Sequence, residues 1–483
     1  MKSENVSVQT SSGELLGVYE EELFVFKGIP YAEPPTGELR WLPPQPVQPW
    51  SESRPAQQFG PICPQDNRPT PIPGRKPSVE PQDENCLFLN IWTPAIDDGK
   101  RAVMVWIHGG AFLHGSGSSP MNPGSTLPKR GGVVLVTINY RLGVLGFLRL
   151  TDITNGKIPS TGNEALLDQI AALQWVKNNI LAFGGDPDNI TVFGESAGAE
   201  SIGALLAMPK SKGLFQKAIL QSGASKSQSA ERATRTAEKY LELLGISGTE
   251  VESLKSTPPE KLIQTFTELP PATGGVGPVR DGEVLPEVPL NVIEQGSAED
   301  ITVLAGSNLE EAKLFALLMS PDIVNLDEEN MVHRLRNLVP EEYLSGLIEK
   351  YRVALAEREL PVTPFEIYTA IQGDQHFRMP NIRLCEIQEK LGTPTFGYVF
   401  NCKSAASGFG ACHALDVGFI FGNLNDEFHG SSPDAWKLAG TMQDAWIAFA
   451  KTGDPSCPGL GNWPRYGRER MMMVLGSDSH VET

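Results

Sequence analysis

The sequence predicts an α/β protein, with a mostly parallel central sheet, helices on both faces and inserted helical cap segments. Three observations carry that prediction. First, apolar runs recur from residue 88 onward, as Phe88–Trp92, Ala102–Ile107, Val133–Ile138, Ile190–Phe193 and Ala218–Leu220, separated by loops and helices. Such alternation builds a sheet covered on both faces. Second, Leu166, Ile170, Leu173, Val176 and Ile180 follow at spacings of 4, 3, 3 and 4, one apolar stripe of a helix. Gly184-Gly185 then reads as its stop. Third, Gly194-Glu195-Ser196-Ala197-Gly198 stands between the β-branched run Asn189–Phe193 and the small apolar run Ala199–Met208. A G-x-S-x-G between a strand and a helix is a nucleophile elbow, a strained turn whose glycines leave room for backbone.

The remaining elements follow in chain order. Residues 1–60 alternate short strands with turn residues, as in Val6–Thr10 and Leu23–Lys27, which reads as an antiparallel edge. Residues 64–82 are dense in Pro, Gln, Asp and Ser and read as a long surface loop. Segments around 224–300 and 316–395 are helical and charged, with a break at Pro270–Gly277. They read as cap segments over the C-terminal edge of the sheet, where α/β folds place their sites. Ile301–Ala305 and Thr395–Phe400 return to strands. A last helix carries Leu438, Met442, Ala445 and Phe449 and stops at Gly453. With no internal repeat, residues 1–483 read as one domain with a cap.

Composition narrows the function classes. A net charge of −18 argues against nucleic acid and against anionic membrane surfaces as partners. No run approaches the roughly 18 apolar residues of a membrane span. The first residues carry no apolar signal region, so a cytoplasmic location is expected unless a leader has been trimmed. Cys63, Cys86, Cys385, Cys402, Cys412 and Cys457 are few for the length and include no C-x-x-C. Six reduced thiols are expected, with no metal site and no disulfide scaffold. The sequons at Asn5 and Asn189 carry no meaning in that compartment. A monomer is the default.

A serine hydroxyl needs a base to take its proton, and the base needs a carboxylate to hold its tautomer. In the α/β-hydrolase arrangement these follow in the order Ser, acid, His. His108 and His114 precede Ser196 and are excluded. His480 lies in the polar tail, and His333 and His376 in helical stretches. On position, His413 in the small-residue loop Gly408–Asp416 is favoured, with His429, after an acidic loop, as runner-up. The acid is expected after the strand Ile301–Ala305, where Glu310 and Glu311 are adjacent candidates. Spacing does not separate them. The developing oxyanion needs N–H donors from the residue after the serine and from a glycine loop after an earlier strand. Ala197 and His108-Gly109-Gly110-Ala111-Phe112 supply them, with Gly109 and Glu195 as supporting residues.

The chain resembles the type-B carboxylesterase family, closest to its bacterial p-nitrobenzyl esterases and related to the cholinesterases. Phe183–Gly198 fits the family's serine signature. Glu84-Asn-Cys-Leu-Phe-Leu-Asn90 is similar to its second signature, with Asn85 and Phe88 as departures. Phe26–Ala32, Asn139–Gly143 and Trp446–Pro455 are further family-like blocks. The resemblance implies an α/β-hydrolase fold and Glu311 as the acid, second of the acidic pair. It implies His413 in the G-x-x-H-x-x-E/D loop Gly410–Asp416. It also implies oxyanion donors on Gly110, Ala111 and Ala197, scaffold ion pairs Arg40–Glu84 and Arg141–Asp168, and pairing of Cys63 with Cys86 in secreted members. Residues 64–85 contain no Trp, Tyr or Phe, so no aromatic face for a choline cation is expected there.

The expected activity is hydrolysis of small carboxylic esters, short-to-medium acyl or aryl, through an acyl-enzyme, without metal or organic cofactor. The alternatives are a lipase-like hydrolase of longer esters and a non-catalytic binding member. The rate is expected to fall below a pKa near the histidine reference of about 6.5.

Overall fold

The structure is a computed structural model of the chain, and it describes residues 4–66, 72–74, 80–270 and 274–483. In chain order the strands are β1 (Glu4–Gln9), β2 (Glu14–Glu20), β3 (Leu23–Pro30), β4 (Arg54–Pro55), β5 (Phe88–Thr93), β6 (Arg101–Ile107), β7 (Val134–Ile138) and β8 (Gly185–Glu195). There follow β9 (Lys217–Gln221), β10 (Gln228–Ser229), β11 (Val279–Arg280), β12 (Thr302–Asn308), β13 (Thr395–Phe400), β14 (Met472–Leu475) and β15 (His480–Glu482). Among the described residues, one sheet runs β1-β2-β3-β5-β7-β6-β8-β9-β12-β13-β14-β15, with β4 beside β2. β7, β6, β8, β9, β12, β13 and β14 are mutually parallel. β1, β2 and β3 form the expected antiparallel edge.

Two features of the sheet differ from the sequence reading. β5 is antiparallel to both β3 and β7, so the antiparallel part extends beyond residue 60. A fully buried strand looks the same in either direction, so its apolar run carries no directional signal. The polar tail also ends in a strand, since His480 pairs antiparallel opposite Val474. The part of the 64–82 loop at 67–71 and 75–79 lies outside the described residues.

Side-chain alternation divides the core in two. In β6, Val103, Val105 and Ile107 enter one cluster, while Ala102, Met104 and Trp106 enter the other. This is the two-residue period of a strand with both faces covered. The striped helix Glu164–Asn179 and the post-elbow helix Ala197–Ala207 cover the first face. Leu415–Phe421 and Pro433–Thr452 cover the second. Gly184 and Gly453 close their helices at φ +77° and +80°, left-handed caps that favour glycine.

A third cluster is built only from residues between 316 and 371, including Met331, Leu335, Leu344, Ile348, Phe365 and Ile371. Those helices pack chiefly on one another. The next helix, Met379–Lys390, instead packs on β12 and β13. No described helix is long and apolar enough to cross a membrane.

The two scaffold ion pairs form. Arg40 Nε lies 2.7 Å from Glu84 Oε1, and its Nη1 also donates to the carbonyls of Lys255 and Thr257 at 2.8 Å. Arg141 grips the fully buried Asp168 through Nε and Nη2 at 2.8 and 2.7 Å. Cys63 and Cys86 are buried as free thiols, and Cys63 Sγ accepts from Leu142 N–H at 3.2 Å.

Candidate active site

Ser196 ends the run from β8 with φ +56° and ψ −124°, and Ala197 begins the following helix. A non-glycine residue there is strained and must be held by its surroundings. Ser196 N–H donates to Gln221 O at 2.9 Å, and Ser196 O accepts from Glu200 N at 2.8 Å. The flanking glycines answer to a neighbour as well as to the turn. A Cβ on Gly194 would stand 2.7 Å from Ile107 O, and one on Gly198 only 2.0 Å from it. Ile107 and Gly194 are paired across the β6–β8 ladder, so the parallel register itself requires these glycines.

β6 leads into His108–Phe112. Gly110 has φ +111°, and Ala111 and Phe112 have φ +56° and +63°. Leu113 and His114 N–H both donate to Gly110 O at 3.0 Å. A Cβ on Gly110 would meet His114 O at 2.1 Å, and one on Gly109 would meet Glu195 O at 2.6 Å and Ser196 Cβ at 3.1 Å. The loop therefore closes directly over the elbow. His108 lies beneath it, stacked on Tyr140 at 4.4 Å, and Tyr140 Oη donates to His108 O at 2.7 Å. Burial pushes the His108 ring down to about 4, so it is a neutral prop at physiological pH. Ala197, first residue of its helix, contributes an N–H that no helical carbonyl can reach.

The structure brings Glu311 and His413 together. Glu311 Oε2 lies 2.7 Å from His413 Nδ1, and Glu311 Oε1 accepts from Asn308 N at 2.7 Å, at the end of β12. Both side chains are buried. Glu310 is engaged differently. Its Oε2 accepts from Ala411 N at 2.8 Å, its Oε1 from Lys313 Nζ at 2.6 Å, and its own N–H donates to Ala411 O. The adjacent carboxylates thus divide the work: Glu311 meets the imidazole, and Glu310 anchors the loop that carries it. Gly410, at φ +58°, is needed because a Cβ would strike Glu310 Oε2 at 2.1 Å.

His413 Nε2 lies 3.0 Å from Glu195 Oε1, and neither atom has a partner in hydrogen-bond geometry. Burial pushes the His413 imidazolium down, but the Glu195 and Glu311 carboxylates outweigh it and raise its pKa above the ordinary range. Burial also raises Glu195. His413 therefore titrates above the reference of about 6.5 that its residue type alone suggests.

Two aromatic contacts of His413 were missed in the sequence reading. Phe315 and Phe377 lie against the ring at 4.9 and 4.6 Å. Phe315 comes from the helix Lys313–Met319, and Phe377 from a π-helical turn at Asp374–Arg378. Phe315 falls four residues after Glu311, a spacing that could have flagged it. Phe377 had no such clue. Beneath the loop, buried Asp416 accepts from Gln221 Nε2 at 2.8 Å and from Asn308 Nδ2 and Tyr398 Oη at 3.3 Å.

The runner-up His429 is not solvated, as its acidic flank suggested. It is buried against Phe419 and Phe428, its Nδ1 accepts from Asn425 N at 3.2 Å, and burial pushes it down to about 4. Its acidic neighbours Asp426 and Glu427 are exposed, while Phe428 and His429 are buried. His333 stands on an exposed helix face, and His376 Nδ1 lies 2.9 Å from Gln372 O.

The comparisons with known proteins agree with this architecture. The family model described as "Carboxylesterase family" matches residues 4–482. The chain is 38% identical over 490 residues to para-nitrobenzyl esterase of Bacillus subtilis (strain 168), covering 98% of this chain and 96% of that protein. It is 34% identical to phenmedipham hydrolase of Pseudarthrobacter oxydans, covering 98% and 95%. Among solved structures, Geobacillus stearothermophilus carboxylesterase EST55 superposes with a TM-score of 0.89 at 41% identity, over 99% of this chain and 97% of that one. With a sheet that places an elbow, a glycine loop and a carboxylate–histidine pair at one edge, and with relatives matched along its whole length, the chain belongs to the carboxylesterase family.

Proposed function

We propose that Ser196 is the nucleophile of a carboxylic-ester hydrolase, with His413 as its base and Glu311 as the group that orients the base. The observation that carries this reading is the 2.7 Å contact of Glu311 Oε2 with His413 Nδ1. That contact assigns the ring proton to Nδ1 and leaves Nε2 free to accept. Ser196 Oγ attacks the ester carbonyl as Nε2 takes its proton. The negative oxygen is held by the N–H groups of Gly110, Ala111 and Ala197. Nε2 then returns the proton to the leaving alcohol, which departs from the acyl-enzyme. Water repeats the steps and releases the acid. Hydroxyl, imidazole and oriented amides supply the whole reaction, so no metal or organic cofactor is invoked.

The substrate class we assign is small esters with short-to-medium acyl or aryl groups. The support is the aromatic pair Phe315 and Phe377, stacked 5.9 Å apart beside His413, which offers an apolar wall next to the base. We read the chain as one domain with a helical cap, working as a monomer. Hydrolysis of p-nitrophenyl esters of rising chain length tests the assignment. Activity on the acetate that disappears in Ser196→Ala supports it. Inactivity on every short ester overturns it, and a preference for long-chain triglyceride turns it into a lipase.

A further inference from the structure

The return leg of the glycine loop is gripped by a side chain 50 residues away in the sequence. Gly115 N–H donates to Gln65 Oε1 at 2.8 Å, and Gly115 O accepts from Gln65 Nε2 at 3.0 Å. A primary amide carries donor and acceptor side by side, so it meets both polar groups of one residue as a neighbouring strand would. Gln65 is itself anchored. Its Nε2 also donates to Cys63 O at 3.0 Å, and its N–H donates to Gln82 Oε1 at 2.9 Å. Ile62 N–H donates to Pro81 O at 2.9 Å, and Asp83 N–H to Ile62 O at 3.1 Å. Further along the same leg, Glu80 Oε1 accepts from Ser116 Oγ at 2.9 Å and Ser118 Oγ at 2.6 Å.

The leg that Gln65 holds lies on the leg that leads into the turn. Gly115 has φ +110°, and a Cβ there would stand 2.4 Å from His108 Nδ1 and 2.6 Å from Gly109 O. Gly110 O accepts from Leu113 and His114 N–H, which closes the turn between the two legs. Inside that turn Ala111 sits at φ +56°, a conformation that a non-glycine residue keeps only when its surroundings hold it. The outgoing leg is held by β6 and by Tyr140 Oη on His108 O. The return leg is held by Gln65. An N–H that stabilises an oxyanion must be aimed before the reaction begins. A misplacement of about 1 Å can cost about 10²-fold.

We propose that Gln65 is a positioning residue for ester hydrolysis: by gripping Gly115 it fixes the turn that aims the Gly110 and Ala111 N–H groups. This rests on the reading of those groups as oxyanion donors. Gln65→Met keeps the side-chain length and removes both hydrogen bonds to Gly115. On p-nitrophenyl acetate it should lower kcat by about 10–100-fold and leave KM within about threefold. A trifluoromethyl ketone supplies the second readout. Ser196 Oγ bonds to its carbonyl carbon, the hydroxyl proton passes to His413, and the carbonyl oxygen becomes the oxyanion. Affinity for this ketone should fall with kcat, by about the same factor. Affinity for the matching secondary alcohol, which forms no oxyanion, should stay within about threefold. Wild-type kcat and ketone affinity in Gln65→Met overturn the proposal. So does an equal loss of ketone and alcohol affinity, the mark of a merely structural role. If Gln65→Met does not fold, Gln65→Glu decides by the same split, because its carboxylate repels Gly115 O. A wild-type protein that neither hydrolyses the acetate nor binds the ketone overturns the underlying reading as well. Ketone binding lost in Ser196→Ala but intact in Gln65→Met overturns the role of Gln65 alone.

Discussion

Ser196 is positioned by backbone, whereas His413 is positioned by side chains from several segments. On the serine side, the carbonyl of Ile107 excludes any Cβ at Gly198, and Gly109 lies against the elbow itself. These contacts follow from strand register and cannot relax without moving the sheet. On the histidine side, Glu311 and Glu310 follow β12, the histidine loop follows β13, and Phe315 and Phe377 come from helical segments. Much of that helical region packs around its own core. The contrast teaches that Ser196 is held all-or-none, while His413 is held by separable contacts that substitutions can weaken one at a time.

That contrast can be broken by mutation. The largest expected effect is at the elbow. Ser196→Ala should lower kcat/KM by about 10⁴-fold or more without shifting the melting temperature. Gly198→Ala should cost about 3 kcal/mol or more of stability, read as the urea midpoint, because its methyl has nowhere to go. A Gly198→Ala protein of wild-type stability would refute the backbone account of the serine side.

The adjacent carboxylates sharpen the comparison. Glu311→Gln should reduce kcat by about 10²–10⁴-fold, since the imidazolium loses its counter-charge. Glu310→Gln should cost less than about tenfold in kcat and show mainly as lower stability, because it touches Ala411 and Lys313 rather than the imidazole. Equal kcat losses would mean that the two carboxylates do not divide their roles. Phe377→Ala should change kcat by only about 3–10-fold, the worth of one aromatic contact, and alter the chain-length preference in the p-nitrophenyl ester series.

The smallest effect lies in the pH profile. In the proposed mechanism His413 acts when neutral, and the Glu195 and Glu311 charges favour its protonated form. The acid limb of kcat/KM should therefore lie above about 6.5. Removing one of those charges in Glu195→Gln lowers the imidazolium pKa and should move the limb to lower pH. A limb that stays in place would show that Glu195 carries no charge in the working enzyme. The same raised pKa means that protonated His413 stabilises the fold below about pH 6.5, and that this contribution fades as pH rises through the folded-state value.

Much of the site was legible because its signals are local. The elbow shows in three glycine and serine positions between a strand and a helix, and the helix Glu164–Asn179 shows in its apolar stripe. The choice of Glu311 and of His413 needed whole-family motifs, because two adjacent glutamates and two loop histidines look alike in a single sequence. The partners of His413 were not legible. Phe377 lies 36 residues before His413 in the chain, and nothing near either residue marks the contact. Nor does the acidic stretch before His429 reveal that its ring is buried among Phe419 and Phe428.

By itself the sequence determined the layered α/β architecture, the sharp turn at Ser196 and the glycine loop before it. Each depends on side-chain periodicity or on the absence of a Cβ, which are properties of a few neighbouring residues. Only the tertiary structure decided the direction of β5, the separate uses of Glu310 and Glu311, the aromatic walls of His413 and the grip of Gln65 on Gly115. Each of these depends on which distant segments the sheet order and the helix packing bring within a few ångströms of one another.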